Sequence, residues 1–125
     1  MNLTIYLVFH PEAKTGYNAP KLRSSILSLP GTLSCCEGDE TIHSETILFQ
    51  CELQRNEKDL SIRVQKSQPS AVIEGDSELA LHVAIELQRN YGEEIYAISE
   101  ASAPEVFGLS TVTAPSDLAA KLRVS

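Results

Sequence analysis

The first hydrophobic segment of the chain predicts a strand with apolar residues on both faces. In residues 3–9 two largely apolar sets alternate, and Pro11 closes the segment. A strand with no solvent-exposed face is typical of the interior of a sheet, so we expect an interior strand here.

Two segments in the middle of the chain alternate between apolar and polar residues. Residues 47–53 and 60–65 each place their apolar side chains on one face, and a charged turn at 55–59 separates them. Alternating apolar and polar residues on both sides of a short turn predict an antiparallel hairpin with one solvent-exposed face. Further short strands are predicted at 32–36 and 95–98, whereas residues 67–75, which contain Pro69, are interpreted as a connection.

Apolar residues recur with helical spacing in three other segments. Leu22, Ile26 and Leu29 share one helix face that ends at Pro30, and Asn18 is the expected N-cap. Residues 77–91 form a longer apolar stripe. Its expected boundaries are an N-cap at Asp76 or Ser77 and a C-terminal glycine, Gly92. A last short helix is predicted from Pro115 or Ser116 through Lys121.

This order of elements predicts an α+β fold. The expected architecture is a mainly antiparallel sheet with two helices packed on one face. We interpret it as a ferredoxin-like sandwich with an extra strand and a C-terminal tail helix. Residues 1–125 are expected to form a single domain. Residues 101–125 are expected to be a C-terminal extension that packs on this domain or trails from it.

Composition and charge limit the classes of function. The chain has 125 residues, 42% of them hydrophobic, and a formal net charge of −7. Its apolar content suffices for a core without metal or disulfide support. The acidic balance argues against nucleic-acid binding and against docking on an anionic membrane.

No segment has the pattern of a signal peptide or a membrane span, and the cysteine count of three is odd. We therefore expect a cytoplasmic protein with reduced thiols.

Two residue sets offer weak metal-site patterns. Glu78, His82 and Glu86 share one stripe of the predicted helix, where ordinary solvation explains them. The three cysteines (Cys35, Cys36 and Cys51) and His43 contain ligand types for zinc but lack the usual paired spacing. Buried packing explains cysteines equally well. We expect no metal and no cofactor.

Three basic residues near the first helix offer a weak phosphate-binding pattern. Lys14, Lys21 and Arg23 surround the start of this helix, and Gly16 lies in the preceding loop. The sequence has no P-loop pattern there, and solubilising charge explains the three residues. No residue is predicted to be catalytic.

The negative charge is concentrated in one part of the chain. Residues 35–60 hold seven carboxylates against only Arg55 and Lys58, which accounts for most of the net charge. We predict that these carboxylates bind a partner: Glu37, Asp39, Glu40, Glu45, Glu52, Glu57 and Asp59. A clustered acidic surface complements a basic protein.

These observations lead to one main expectation and two alternatives. The main expectation is a small protein-binding domain that inhibits a partner, most concretely a bacterial immunity protein that neutralises a toxin such as a basic nuclease. One alternative is a self-associating structural or regulatory module, such as a homodimer. The other is a small ligand-binding or metal-binding enzyme that uses His82 or the cysteines.

Overall fold

The computed structural model describes residues 2–9, 19–37, 47–65, 70–103 and 105–123, without the side chains of 9, 19, 20, 33–37, 47–49 and 65. Along this chain one strand and one helix are followed by four strands, a second helix, two short strands and a third helix. The strands are β1 (Asn2–Phe9), β2 (Thr32–Glu37), β3 (Ile47–Arg55), β4 (Lys58–Gln65), β5 (Ser70–Asp76), β6 (Ile95–Ile98) and β7 (Phe107–Gly108). The helices are α1 (Ala19–Leu27), α2 (Ser77–Tyr91) and α3 (Pro115–Lys121), and one 3-10 turn covers Leu109–Thr111.

All described strands belong to one antiparallel sheet. Its order is β2-β3-β4-β5-β1-β6-β7, so β2 to β5 form a meander and β1 joins that meander to β6. Helix α2 contacts β1, β4 and β5, and α1 and α3 both contact α2. The predicted α+β class, with helices packed against an antiparallel sheet, is therefore confirmed.

Strand β5 corrects the interpretation of residues 67–75 as a connection. Residues 70–76 pair with β1 on one side and with β4 on the other, so this segment is a central strand. Gly75 lies opposite both Leu3 and Leu60, and a Cβ at Gly75 would stand only 2.7 Å from the Cα of Leu60. Glycine is required there by the close approach of β4, so it does not mark the end of a strand.

The sheet has one buried face and one open face. The face toward the helices is apolar, and Ile5, Ile62 and Ile73 on it are fully buried. On the opposite face Thr4 is half-buried, while Tyr6 and Glu74 are exposed. We call this second surface the open face, because no helix of the described chain packs on it. Strand β1 lies inside the sheet as predicted, although Tyr6 of its second apolar set is exposed to solvent.

Helix α2 begins and ends where its capping residues predict. The Asp76 carboxylate accepts a hydrogen bond of 3.0 Å from the Leu79 amide, which satisfies a free donor of the first turn. Gly92 adopts a left-handed conformation with φ 81°, and its amide donates to the Gln88 carbonyl. Among the described helices, none has the length and apolar content required to cross a membrane.

The C-terminal segment is attached to the sheet by two buried serines. The Ser99 hydroxyl donates to the Leu122 carbonyl at 2.6 Å and accepts from the Ser102 amide at 3.1 Å. Leu118 and Leu122 are fully buried against the rest of the core. Buried polar groups that are satisfied in this way hold a segment in one position.

Cys51 on β3 is disulfide-bonded, so the expectation of reduced thiols is wrong for this residue. The backbone register places Cys35 of β2 directly opposite Cys51, and Cys36 opposite Gln50. The bond therefore lies at the β2 end of the sheet.

The disulfide predicts the number of free thiols. We expect one free thiol per chain in protein that is purified without reductant and unfolded in denaturant, and three after reduction, because the chain has three cysteines. The Cys36→Ser variant should show none before reduction, since the register sets Cys35 opposite Cys51. Thiol titration with a chromogenic disulfide reagent measures this count, and a disulfide that persists in Cys35→Ser would contradict the pairing.

Candidate functional site

The β3–β4 hairpin turns through two residues that both have positive φ. Asn56 has φ 50° and Glu57 has φ 66°, and the flanking Arg55 and Lys58 are register partners. Positive φ at both central residues is the geometry of a type I′ turn, whose twist matches that of the strands. Asparagine tolerates this conformation, but a glutamate pays about 1 kcal/mol for it. The hairpin therefore holds Glu57 at some cost to stability.

Helix α2 holds this hairpin through two ion pairs. The Arg55 guanidinium lies 2.5 Å from the Glu86 carboxylate, and the Lys58 ammonium lies 2.7 Å from the Glu78 carboxylate. Arg55 also donates to the Pro30 carbonyl at 2.6 Å. These contacts attach the tip of the hairpin to the helix layer.

The Lys58–Glu78 pair shifts the titration of both groups. The hydrogen bond to Glu78 raises the pKa of Lys58 above its ordinary value of 10.5. The same hydrogen bond lowers the pKa of Glu78 below its ordinary value of 4.5, and the positive charge of Lys58 adds to this effect. The pair is therefore fully charged across the physiological pH range.

A groove lies on the open face beside this hairpin. Its volume is about 460 Å³, and its lining includes five carboxylates and a single ammonium group. The carboxylates come from three adjacent strands and the hairpin turn: Glu52, Glu57, Asp59, Glu74 and Asp76. The ammonium belongs to Lys58. We call this surface the acidic groove.

The five carboxylates differ in the partners that they already have. Asp76 caps α2 and lies 3.9 Å from the Lys58 ammonium, and Glu74 lies 3.6 Å from the Arg63 guanidinium. Glu57 and Asp59 are exposed, and neither side-chain carboxylate forms a hydrogen bond or ion pair with any part of the chain that the structure describes. These two carboxylates are free to meet an external cation.

The acidic groove has the chemistry of a surface for cationic side chains. Within the described residues, no group of three or more His, Cys, Asp or Glu side chains is arranged to hold a metal ion. The carboxylates are spread over an open concave surface. Such a distribution attracts several separate positive charges.

The structure places three of the seven predicted partner-binding residues in the acidic groove. These are Glu52, Glu57 and Asp59. The backbone of Glu37 ends β2 opposite Phe49, but its side chain is not among those described. Asp39, Glu40 and Glu45 lie outside the described residues. The prediction for these last four residues stays open.

Two groove residues were missing from the prediction. Glu74 and Asp76 belong to β5, and β5 brings them beside Glu52 and Asp59 through its pairing with β4. Because residues 67–75 were interpreted as a connection, Glu74 and Asp76 were not expected beside Glu52 and Asp59. Residues 71–73 are three consecutive apolar residues, so the sequence shows no alternation here, and the burial of Ala71 and Ile73 becomes visible only in the structure.

Several members of the other candidate sets form contacts within the described part of the fold. Two residues of the α2 stripe, Glu78 and Glu86, form the ion pairs with the hairpin. The third, His82, is exposed. Lys21 lies 3.3 Å from Glu93, and its ammonium stands 5.0 Å from the centre of the Tyr91 ring. Lys14, Gly16 and His43 lie outside the described residues.

The shifted carboxyl of Glu78 is directly measurable. We expect Glu78 to titrate below 4.5, and the Lys58→Met variant to restore its ordinary pKa. Because the folded-state pKa is lowered, the stabilisation by this pair is present above the unfolded pKa and disappears as pH falls through the folded one. An NMR titration of the side-chain carboxyl carbon measures it, with Lys21→Met as the control. Equal Glu78 midpoints in wild type and Lys58→Met would contradict the assignment.

The positive φ of Glu57 predicts that this residue lowers the stability of the fold while it supplies a negative charge to the groove. Glu57→Gly relieves a positive φ and should raise the free energy of unfolding by about 1 kcal/mol. Glu57→Ala removes the same carboxylate but keeps the unfavourable conformation, so it should give no such gain. Urea unfolding of both variants measures the difference. Equal stability of the glycine and alanine variants would show that the turn is not strained.

Comparison with protein-family models, with characterised proteins and with solved structures gives no match for this chain. The function must therefore be inferred from the acidic groove and its surroundings.

Proposed function

We propose that this protein is a small acidic protein-binding domain that inhibits a partner through the acidic groove. The most concrete form of the proposal is a bacterial immunity protein that neutralises a toxin with a basic active-site cleft, such as a nuclease. The observation that carries the proposal is the gathering of five carboxylates with one ammonium on one concave surface. The role requires neither catalysis nor a cofactor.

Electrostatics support a basic partner. A cleft that binds nucleic acid carries lysine and arginine to contact phosphates. An acidic surface can occupy such a cleft because its carboxylates substitute for the phosphate charges. The net charge of −7 also steers a basic partner toward the protein before contact.

The attachment of the hairpin to α2 supports binding through the groove. Glu57 is held in an unfavourable conformation, and Arg55 and Lys58 attach the hairpin to α2. A surface that is ordered before binding loses less conformational entropy when the complex forms. Backbone strain at a carboxylate that has no internal partner is consistent with a binding role for that carboxylate.

We place the site of action in the cytoplasm as part of the same proposal. The disulfide at Cys51 is an observation against this placement, because disulfides are rare in cytosolic proteins. Alkylation of thiols in intact cells before lysis would decide the point. Cytoplasmic action requires that Cys51 is alkylated, and protection of Cys51 would place the protein in an oxidising compartment.

A growth assay with a matched pair of charge variants tests the function. We propose to express the gene product encoded beside this protein and to ask whether co-expression of this protein relieves growth arrest. One variant carries Glu52→Gln, Glu57→Gln and Asp59→Asn in the groove. The control carries Glu100→Gln, Glu105→Gln and Asp117→Asn in the C-terminal part. Both remove three negative charges from the net −7.

The proposal requires that the wild type and the control relieve the arrest and that the groove variant does not. With purified components, the association rate should fall by about tenfold between about 50 mM and about 500 mM salt. The groove variant should lose most of this salt dependence. Equal protection by both charge variants, or a neighbouring gene product that arrests growth in the presence of this protein, would remove the basis for the proposal.

A further inference from the structure

A cluster of apolar side chains lies on the open face next to the acidic groove. Tyr6 of β1 is opposite Val72 of β5 and Ile98 of β6, and Val8 is opposite Tyr96 of β6. These five residues therefore form two adjacent rows across three neighbouring strands. We call them the apolar cluster.

The apolar cluster is accessible to a partner. Tyr6 is 37% exposed, and the other four members are half-buried on the face that no described helix covers. Contiguous apolar groups on a surface mark interaction sites more often than single exposed residues do. Tyrosine is also among the residues most enriched at the centres of protein interfaces.

The cluster and the acidic groove are parts of one continuous surface. The next row of the open face contains Thr4, Glu74, Ser61 and Glu52, which are register neighbours in that order. Two of these residues are groove carboxylates, and rows on one face are separated by about 7 Å along the strands. An apolar centre beside a charged rim is the usual arrangement of a protein interface.

Charge determines what can cover this surface. A second copy would bring another acidic groove toward the first, and each copy has a net charge of −7. Nucleic acid would be repelled by the same carboxylates. Arg63 is the register partner of Val72 on this face, and its ion pair with Glu74 balances one carboxylate. The other groove carboxylates still outnumber Lys58, so a basic protein segment with an aromatic or aliphatic side chain complements both parts of the surface.

We propose that the apolar cluster is the anchoring half of the partner-binding surface. It would receive an aromatic or aliphatic side chain of the partner, while neighbouring lysines or arginines of that partner contact the acidic groove. This inference rests on the proposed function for the nature of the partner. It adds that binding requires an apolar anchor as well as positive charge.

Two synthetic peptides serve as probes. The first is Lys-Lys-Trp-Lys-Leu-Lys-Lys amide, and the second replaces its Trp and Leu with Ser, so that both carry the same charge. Both have the same N-terminal fluorophore, and fluorescence anisotropy measures their binding to the full chain at low salt. We expect the Trp–Leu peptide to bind about tenfold more tightly than the Ser peptide.

Variants of the protein separate the two halves of the surface. Tyr6→Thr with Ile98→Thr should abolish the tenfold preference and leave the affinity for the Ser peptide unchanged. The matched control is Leu27→Thr with Val106→Thr, which removes two apolar side chains that are each 49% exposed elsewhere. This control should keep the preference. The groove variant described above should weaken binding of both peptides.

Site-specific evidence comes from amide chemical shifts. The Trp–Leu peptide should shift the amide signals of Tyr6, Val72 and Ile98, and the Ser peptide should shift only signals of the groove. Each variant must retain the dispersed spectrum of the wild type, which shows that it is folded.

The outcomes distinguish failure of the anchor from failure of the proposed function. Equal affinity of wild type for both peptides, or a preference that survives in Tyr6→Thr with Ile98→Thr, overturns the anchor but leaves the acidic groove as a binding site. No binding of either peptide overturns both proposals. A dimer in sedimentation equilibrium that Tyr6→Thr with Ile98→Thr dissociates would show that a second copy covers this face, which also overturns the anchor.

Discussion

The pairing of β1 with β5 is the contact on which the rest of the structure depends. It runs through seven register pairs, from Asn2 with Asp76 to Val8 with Ser70, and it joins the meander β2–β5 to strands β6 and β7. These strands are far apart in the sequence, so closing the connection costs conformational entropy. The burial of Ile5 and Leu7 beside Ile73, under helix α2, offsets that cost.

The same pairing creates the proposed binding surface on the other side of the sheet. It sets Thr4 beside Glu74 and Tyr6 beside Val72, so the boundary between the acidic groove and the apolar cluster falls within the β1–β5 pair. One face of these strands supplies the core, and the other supplies a surface with charged and apolar halves. Neither half belongs to a single segment of sequence, because each collects residues from at least three strands.

Local patterns predicted the elements whose signals lie within one segment. The hairpin of β3 and β4 follows from strict alternation, and the ends of α2 follow from Asp76 and Gly92. Strand β5 was missed because Pro69 and Gly75 bracket only three consecutive apolar residues, and pairing on both sides overrides this weak local preference. Three groove carboxylates were predicted from charge density, whereas Glu74 and Asp76 depend on strand order, which no local pattern contains. The ferredoxin-like plan is not established by the seven-stranded order.

The double position of Asp76 bears on how this surface can change during evolution. Its carboxylate caps α2 and also lines the groove, so substitution by a residue that cannot cap costs helix stability. The carboxylates of Glu57 and Asp59 form no comparable contact with the described part of the chain. Under the proposed function, substitutions at these two positions would change the charge of the groove at little cost to the fold, whereas a substitution at Asp76 must keep a capping side chain such as Asn or Ser. One groove thus combines a carboxylate that the helix uses as its cap with neighbouring carboxylates that the fold does not use.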